Sequence, residues 1–92
     1  MADWVRWGRR SSVTTVTLVT RQGCHACELA EELVPKEARR AGAAYERRDV
    51  DLSEADVEAY GHKVPVVLLD GVEHGYWQID AGRLRAALRR TA

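Results

Sequence analysis

Two short runs in this chain constrain it most: Val13–Thr20 (VTTVTLVT) and Val64–Leu69 (VPVVLL). The first is β-branched almost throughout and is closed by Gln22-Gly23, so it reads as a central strand. The second is a continuous apolar run whose only proline stands at its entrance, where a central strand tolerates it. Between and after them the apolar period changes to three and four. Ala26, Leu29, Ala30, Leu33, Val34, Ala38 and Ala41 mark a helix that begins after Cys24 and stops at Gly42. Pro35 falls inside it and lacks the N–H owed to Glu31, which predicts a kink or break near Glu31–Val34.

Ala44–Asp51 reads as a second strand. Its Tyr45, Arg47 and Asp49 alternate with Glu46, Arg48 and Val50, a polar pattern suited to a sheet edge. Ser53 begins a short helix through Tyr60, with Asp56 three residues on and Gly61 ending it. Asp70-Gly71 is a hairpin turn that returns Val72–Trp77 antiparallel to the preceding strand. Asp80 caps a last helix with Leu84, Ala87 and Leu88 inward. The predicted order is β-α-β-α-β-β-α, an α/β fold with a mixed four-stranded sheet and helices on both faces.

The chain has 92 residues, enough for one core, and a domain of this size buries about 60 to 65% of its unfolded surface. Residues 1–12, with Trp4 and Trp7, lack any period and are expected to form a flexible lead to a domain spanning 13–92. Fourteen basic and fourteen acidic side chains cancel, which argues against a nucleic-acid binder. No apolar run approaches the roughly 20 residues of a membrane span, and no targeting segment is evident. A cytoplasmic monomer is expected. Arg83, Arg85, Arg89 and Arg90 follow Asp80 with no further acid; they suit a solvated helix face near its C-terminus, with a docking patch as the alternative.

The two cysteines, Cys24 and Cys27, are too few for a disulfide scaffold or a self-contained tetrahedral zinc site. On a regular helix, Cβ atoms three residues apart are roughly 5 to 6 Å apart, whereas a disulfide wants about 3.5 to 4.5 Å. Cys24 is therefore expected at the helix cap, where free N–H groups and the dipole favour a thiolate, with Cys27 in the first turn. Cys24 would attack a disulfide and Cys27 would resolve the intermediate. Arg21 and His25 place positive charge nearby.

A β-branched strand leading through Thr20-Arg21-Gln22-Gly23 into Cys24-His25-Ala26-Cys27, followed by Lys63-Val64-Pro65, resembles the small glutaredoxin-like proteins of the thioredoxin-fold superfamily. The resemblance covers roughly residues 13–90. It implies a thiol-disulfide oxidoreductase with a cis Pro65 facing the sulfurs, Val64 presenting its backbone to substrate, and Arg21 in the position that meets a glycine carboxylate in glutathione-using members. Tyr76 and Trp77 are assigned one to sheet packing and one to the substrate groove. Thioredoxin's tryptophan before the first cysteine and its Gly-Pro between the two are absent. Where glutathione-binding members carry Gly-Gly and then an acid, this chain has His74-Gly75-Tyr76-Trp77-Gln78.

No bound cofactor is expected. The electron donor is expected to be a low-molecular-weight thiol or a flavin-dependent reductase, and the substrate a disulfide-containing protein or small-thiol disulfide. The alternative is a module of the same fold that holds zinc or an iron-sulfur cluster through Cys24 and Cys27, from two chains or with exogenous thiols. Within one chain His25, His62 and His74 are the available histidines.

Overall fold

The computed structural model describes residues 13–91. The expectations for residues 1–12, Trp4 and Trp7 among them, lie outside the described residues. The element order is β1 (Thr15–Thr20), α1 (His25–Ala41), β2 (Ala44–Asp49), a 3-10 turn (Val50–Leu52), α2 (Glu54–Tyr60), β3 (Val66–Leu69), β4 (Val72–Tyr76) and α3 (Ala81–Thr91). The strands lie in the order β2-β1-β3-β4. β1 pairs in parallel with β2 through the α1 crossover and antiparallel with β3, and β3 pairs antiparallel with β4.

Alternation along β1 sorts the core into two layers. Val16 and Leu18, with Val67, pack beneath Ala30, Val34 and Ala38 of α1 and Leu84 and Leu88 of α3. Val19 faces the other way, where Val50, Val66 and Leu68 gather with the half-buried Tyr60 and Val64. Helices therefore cover both faces, as the two apolar runs require. Among the described residues no helix is long and apolar enough to cross a membrane.

The ends of the elements follow from local chemistry. Gly42 closes α1 at φ 72°, a left-handed position glycine adopts without a Cβ clash, while Ala43 N–H reaches back to the Ala38 carbonyl at 2.9 Å. Asp70 (φ 51°) and Gly71 (φ 83°) form the tight β3–β4 turn. The Asp70 carboxylate accepts the Thr15 N–H at 2.8 Å, tying this turn to the start of β1.

Several expected boundaries differ: β1 begins at Thr15 and β3 at Val66, each two residues after the start of its apolar run. α1 continues through Pro35 as a single helix, because its stripe of Cys27, Ala30, Val34 and Ala38 is buried on both sides of the proline and outweighs one missing hydrogen bond. β2 ends at Asp49, whose carboxylate accepts the Asp51 N–H at 2.9 Å and starts the 3-10 turn. β4 ends at Tyr76, since Trp77 adopts φ 63° and leaves the strand direction.

One charged pair crosses the helix layer. Glu37, 5% exposed, accepts from Arg85 Nε at 3.0 Å and Nη2 at 2.7 Å, joining α1 to α3. The bond to Arg85 holds the Glu37 carboxyl below its ordinary value. A depressed carboxylate pKa contributes stability above the unfolded value near 4.5, and this is lost as pH falls through the lower folded value. Glu37→Gln is expected to lower the thermal midpoint at pH 7 by roughly 4 to 8 °C. The difference from the parent should shrink as acid is added below pH 4.5, which paired melting curves will show.

Candidate active site

The site forms at one end of the sheet. Carrying the register Thr20↔Asp49 and Val19↔Val66 one residue across sets Asp49, Thr20 and Pro65 in a row, and Trp77 completes it through its N–H to the Pro65 carbonyl at 2.9 Å. The chain leaves β1 here and enters α1 through Cys24.

Cys24 is the helix N-cap, extended at φ −98° and ψ 111°, with its Sγ accepting the Cys27 N–H at 3.1 Å. A sulfur takes the place a serine or aspartate oxygen holds in an ordinary cap. Cys24 is half-buried and Cys27 is 1% exposed, and both are free thiols. Cys27 begins the buried stripe of α1, so packing fixes it. Burial first, and the bond with Cys24 next, push the Cys27 thiol up to about 12, against a backbone N–H of Arg21 that favours its thiolate.

Val64-Pro65 is a cis peptide, with Pro65 among the fully buried residues. Trp77 clasps this segment: its N–H bonds the carbonyls of Pro65 and Lys63, and its indole N–H bonds the His62 carbonyl at 3.3 Å. Tyr76 meets Trp77 edge-on at 5.1 Å and carries Lys63 Nζ over its ring at 5.2 Å. Trp77 remains 56% exposed and, with Gln78 and Ile79, walls a groove of about 440 Å³ whose other side is His25, Ala26, Leu29 and Leu33. That groove starts at the residue after Cys24.

The two basic side chains placed beside Cys24 by the sequence, Arg21 and His25, both face carboxylates. Arg21 grips Asp51 with two bonds, Nη2 at 2.8 Å and Nε at 3.1 Å, and donates from Nη1 to the Gly61 carbonyl at 3.0 Å. The bond with Arg21 holds the Asp51 carboxyl below its ordinary value. A carboxylate of the chain itself thus fills the Arg21 fork. His25 is exposed, with Nδ1 3.7 Å from Glu28. Among the described residues no group of three or more His, Cys, Asp or Glu side chains is placed to hold a metal ion.

Sequence reasoning missed Asp51, Thr20 and the Trp77 clasp. The Thr20 hydroxyl is fully buried at the sheet end without a hydrogen-bond partner among the described residues. Its strand register was the available signal: Thr20 shares the face of Val16 and Leu18, the face that α1 covers.

Residues 15–89 match the family model described as Glutaredoxin-like domain (DUF836). The chain belongs to this glutaredoxin-like family. A relative described as an uncharacterized protein of Mycobacterium tuberculosis is 37% identical over 81 residues, covering 83% of this chain and 84% of the relative, and one from Mycobacterium bovis matches equally. Among solved structures, target protein XcR50 from X. campestris is 33% identical with a TM-score of 0.61, covering 82% of this chain and 96% of that one. A mutant thioredoxin from Halobacterium salinarum is 25% identical with a TM-score of 0.66, over 85% of this chain and 74% of that one. The glutaredoxin-like fold and the adjacent Cys24 and Cys27 support a thiol redox role.

Two measurements probe this glutaredoxin-like site. Near pH 8 a thiol of pKa about 12 is ionised to roughly one part in 10⁴, so iodoacetamide should modify Cys24 at least about a hundredfold faster than Cys27, read by peptide mass; equal rates would contradict the burial difference. Thr20→Val should leave the thermal midpoint unchanged or raised, because deleting an unpartnered buried hydroxyl forfeits no hydrogen bond.

Proposed function

We propose that the protein is a dithiol thiol-disulfide oxidoreductase in which Cys24 is the nucleophile and Cys27 the resolving thiol. The observation that carries this proposal is the asymmetry of the pair: Cys24 is the accessible cap sulfur, and Cys27 lies buried one turn inside. The Cys24 thiolate attacks one sulfur of the substrate, the substrate S–S bond breaks, and the departing thiolate takes up a proton. Cys24 is then held in a mixed disulfide and no longer bears charge. Two causes that raise the Cys27 thiol, its bond to Cys24 and the Cys24 charge, are thereby removed. Cys27 loses its proton, attacks the Cys24 sulfur and expels the second substrate thiolate. The substrate gains two electrons and two protons, and the protein keeps one Cys24–Cys27 disulfide.

Val64 and the cis Pro65 supply the backbone that aligns the substrate strand, and Trp77 and His25 flank it. No bound cofactor enters the cycle. A low-molecular-weight thiol or a flavin-dependent reductase returns the two electrons. The occupied fork of Arg21 favours a donor or substrate that does not depend on a carboxylate at that position. The soluble surroundings of a cytoplasmic monomer suit this chemistry.

Reduced protein offered a peptide disulfide, with small thiols and a thioredoxin-type reductase tested in parallel as donors, is expected to turn over. Cys24→Ser should lower the rate at least about a hundredfold. Cys27→Ser should accumulate a mixed disulfide visible by intact mass. A Cys24→Ser variant at the parental rate would overturn the assignment.

A further inference from the structure

On the far side of Trp77 from the cysteine groove lies a second cavity of about 650 Å³, lined by His74, Gly75, Tyr76, Trp77, Gln78 and Arg83. The two depressions share Trp77 and Gln78, so a strand leaving the Cys24 groove over Trp77 enters this one. Its chemistry is cationic. Between Val67 and Leu68 the β3–β4 register slips, pairing Val67 with Gly75 and Leu68 with Glu73, so His74 is the extra residue of a β-bulge. A bulge redirects the side chain it carries. Val67 belongs to the layer covered by α1 and α3, and His74 lines the cavity together with Arg83 of α3. There Arg83 and Arg90, seven residues apart and therefore on one helix face, lie close enough that their charges, after burial, disfavour protonation of His74.

The nearby carboxylates make other contacts: Glu73 holds Lys63 at 3.0 and 3.1 Å on the opposite sheet face, and Asp80, at the start of α3, accepts the Arg83 backbone N–H at 2.9 Å through Oδ1. Glu37 is taken by Arg85. Arg21 is paired with Asp51, but Arg83 and Arg90 have no ion-pair partner among the described residues. A concave surface carrying the exposed Arg83 guanidinium and a histidine, sharing Trp77 and Gln78 with an apolar groove that starts beside Cys24, is complementary to a ligand that is apolar in its middle and anionic at one end.

We propose that the cavity at His74 and Arg83 is a specificity site that receives the carboxylate of an acidic residue on a peptide disulfide whose sulfur is presented to Cys24. This rests on the oxidoreductase proposal for the site of reaction, while the binding of the acidic segment does not. The two disulfide substrates to compare are identical cystine peptides in which a flanking residue is glutamate or glutamine. At low ionic strength the glutamate peptide should be reduced with a kcat/KM at least about threefold higher, carried by KM. That preference should vanish in an Arg83→Gln/Arg90→Gln variant, whose positions are solvent-exposed, and in about 0.5 M salt.

A cysteine-free acidic peptide titrated into the Cys24→Ser protein should shift the His74 imidazole resonances saturably, and the glutamine peptide should not. Equal kcat/KM for the two peptides, or a preference that survives the double substitution, would overturn the proposal. If neither peptide is reduced, the oxidoreductase proposal fails and the His74 titration alone decides the cavity. Inorganic phosphate saturating the His74 shift where the acidic peptide causes none would assign the cavity to phosphate and overturn the peptide proposal.

Discussion

Burial of β1 on both faces is the constraint on which the rest of the molecule depends. Val16 and Leu18 need one apolar layer and Val19 needs another, so helices must lie on each side of the sheet. The parallel partner β2 can be reached only by a crossover, and α1 supplies it. The antiparallel partner β3 brings its own entrance, Val64-Pro65, to the end where β1 exits. Strand pairing therefore sets Cys24, at that exit, and the cis Val64-Pro65 peptide at the same end of the sheet.

Most of that frame was legible from the residues because its signals are strong and local. β-branched runs, the switch of period after Cys24, Asp70-Gly71 and the glycine after Ala41 each state a backbone preference in a few residues. The spacing of Cys24 and Cys27, weighed against disulfide geometry, led to the cap position that Cys24 occupies. Pro35 was the misleading signal. A proline costs a helix one hydrogen bond and a clash, but the cost is local, while the buried stripe from Cys27 to Ala38 acts over the whole helix.

What the residues did not disclose was which charges find each other. Arg21 and Asp51 are thirty positions apart and meet only because Asp49 starts a 3-10 turn that lifts Asp51 out of the strand. Arg85 and Glu37 meet across two helices. Neither pair has a periodic signature. The reading of Arg83, Arg85, Arg89 and Arg90 as one solvated face hid the fact that Arg85 is anchored to Glu37 while Arg83 lines the cavity with His74. The β-bulge at His74 is equally silent in sequence, since it exists only as a mismatch of register with β3.

These pairings move the positive potential around Cys24. A chain with zero net charge still has local fields, and they are set by which cations are left without an internal anion. Beside Cys24, Arg21 faces Asp51 and His25 faces Glu28, so the immediate rim is close to balanced. Beyond Trp77 it is not. Trp77 stands between the two regions, fixed by its bonds to Pro65, Lys63 and His62, and its exposed ring belongs to both depressions. Among the described residues the two sulfurs sit at a helix start, while the depressions beside them are lined largely by loop and edge positions around Trp77. The segment His74–Gln78 gathers imidazole, aromatic and amide groups at these two depressions, whereas Cys24 and Cys27 are set by the helix cap and the buried stripe of α1, so this wall of the groove and the position of the sulfurs depend on separate parts of the chain.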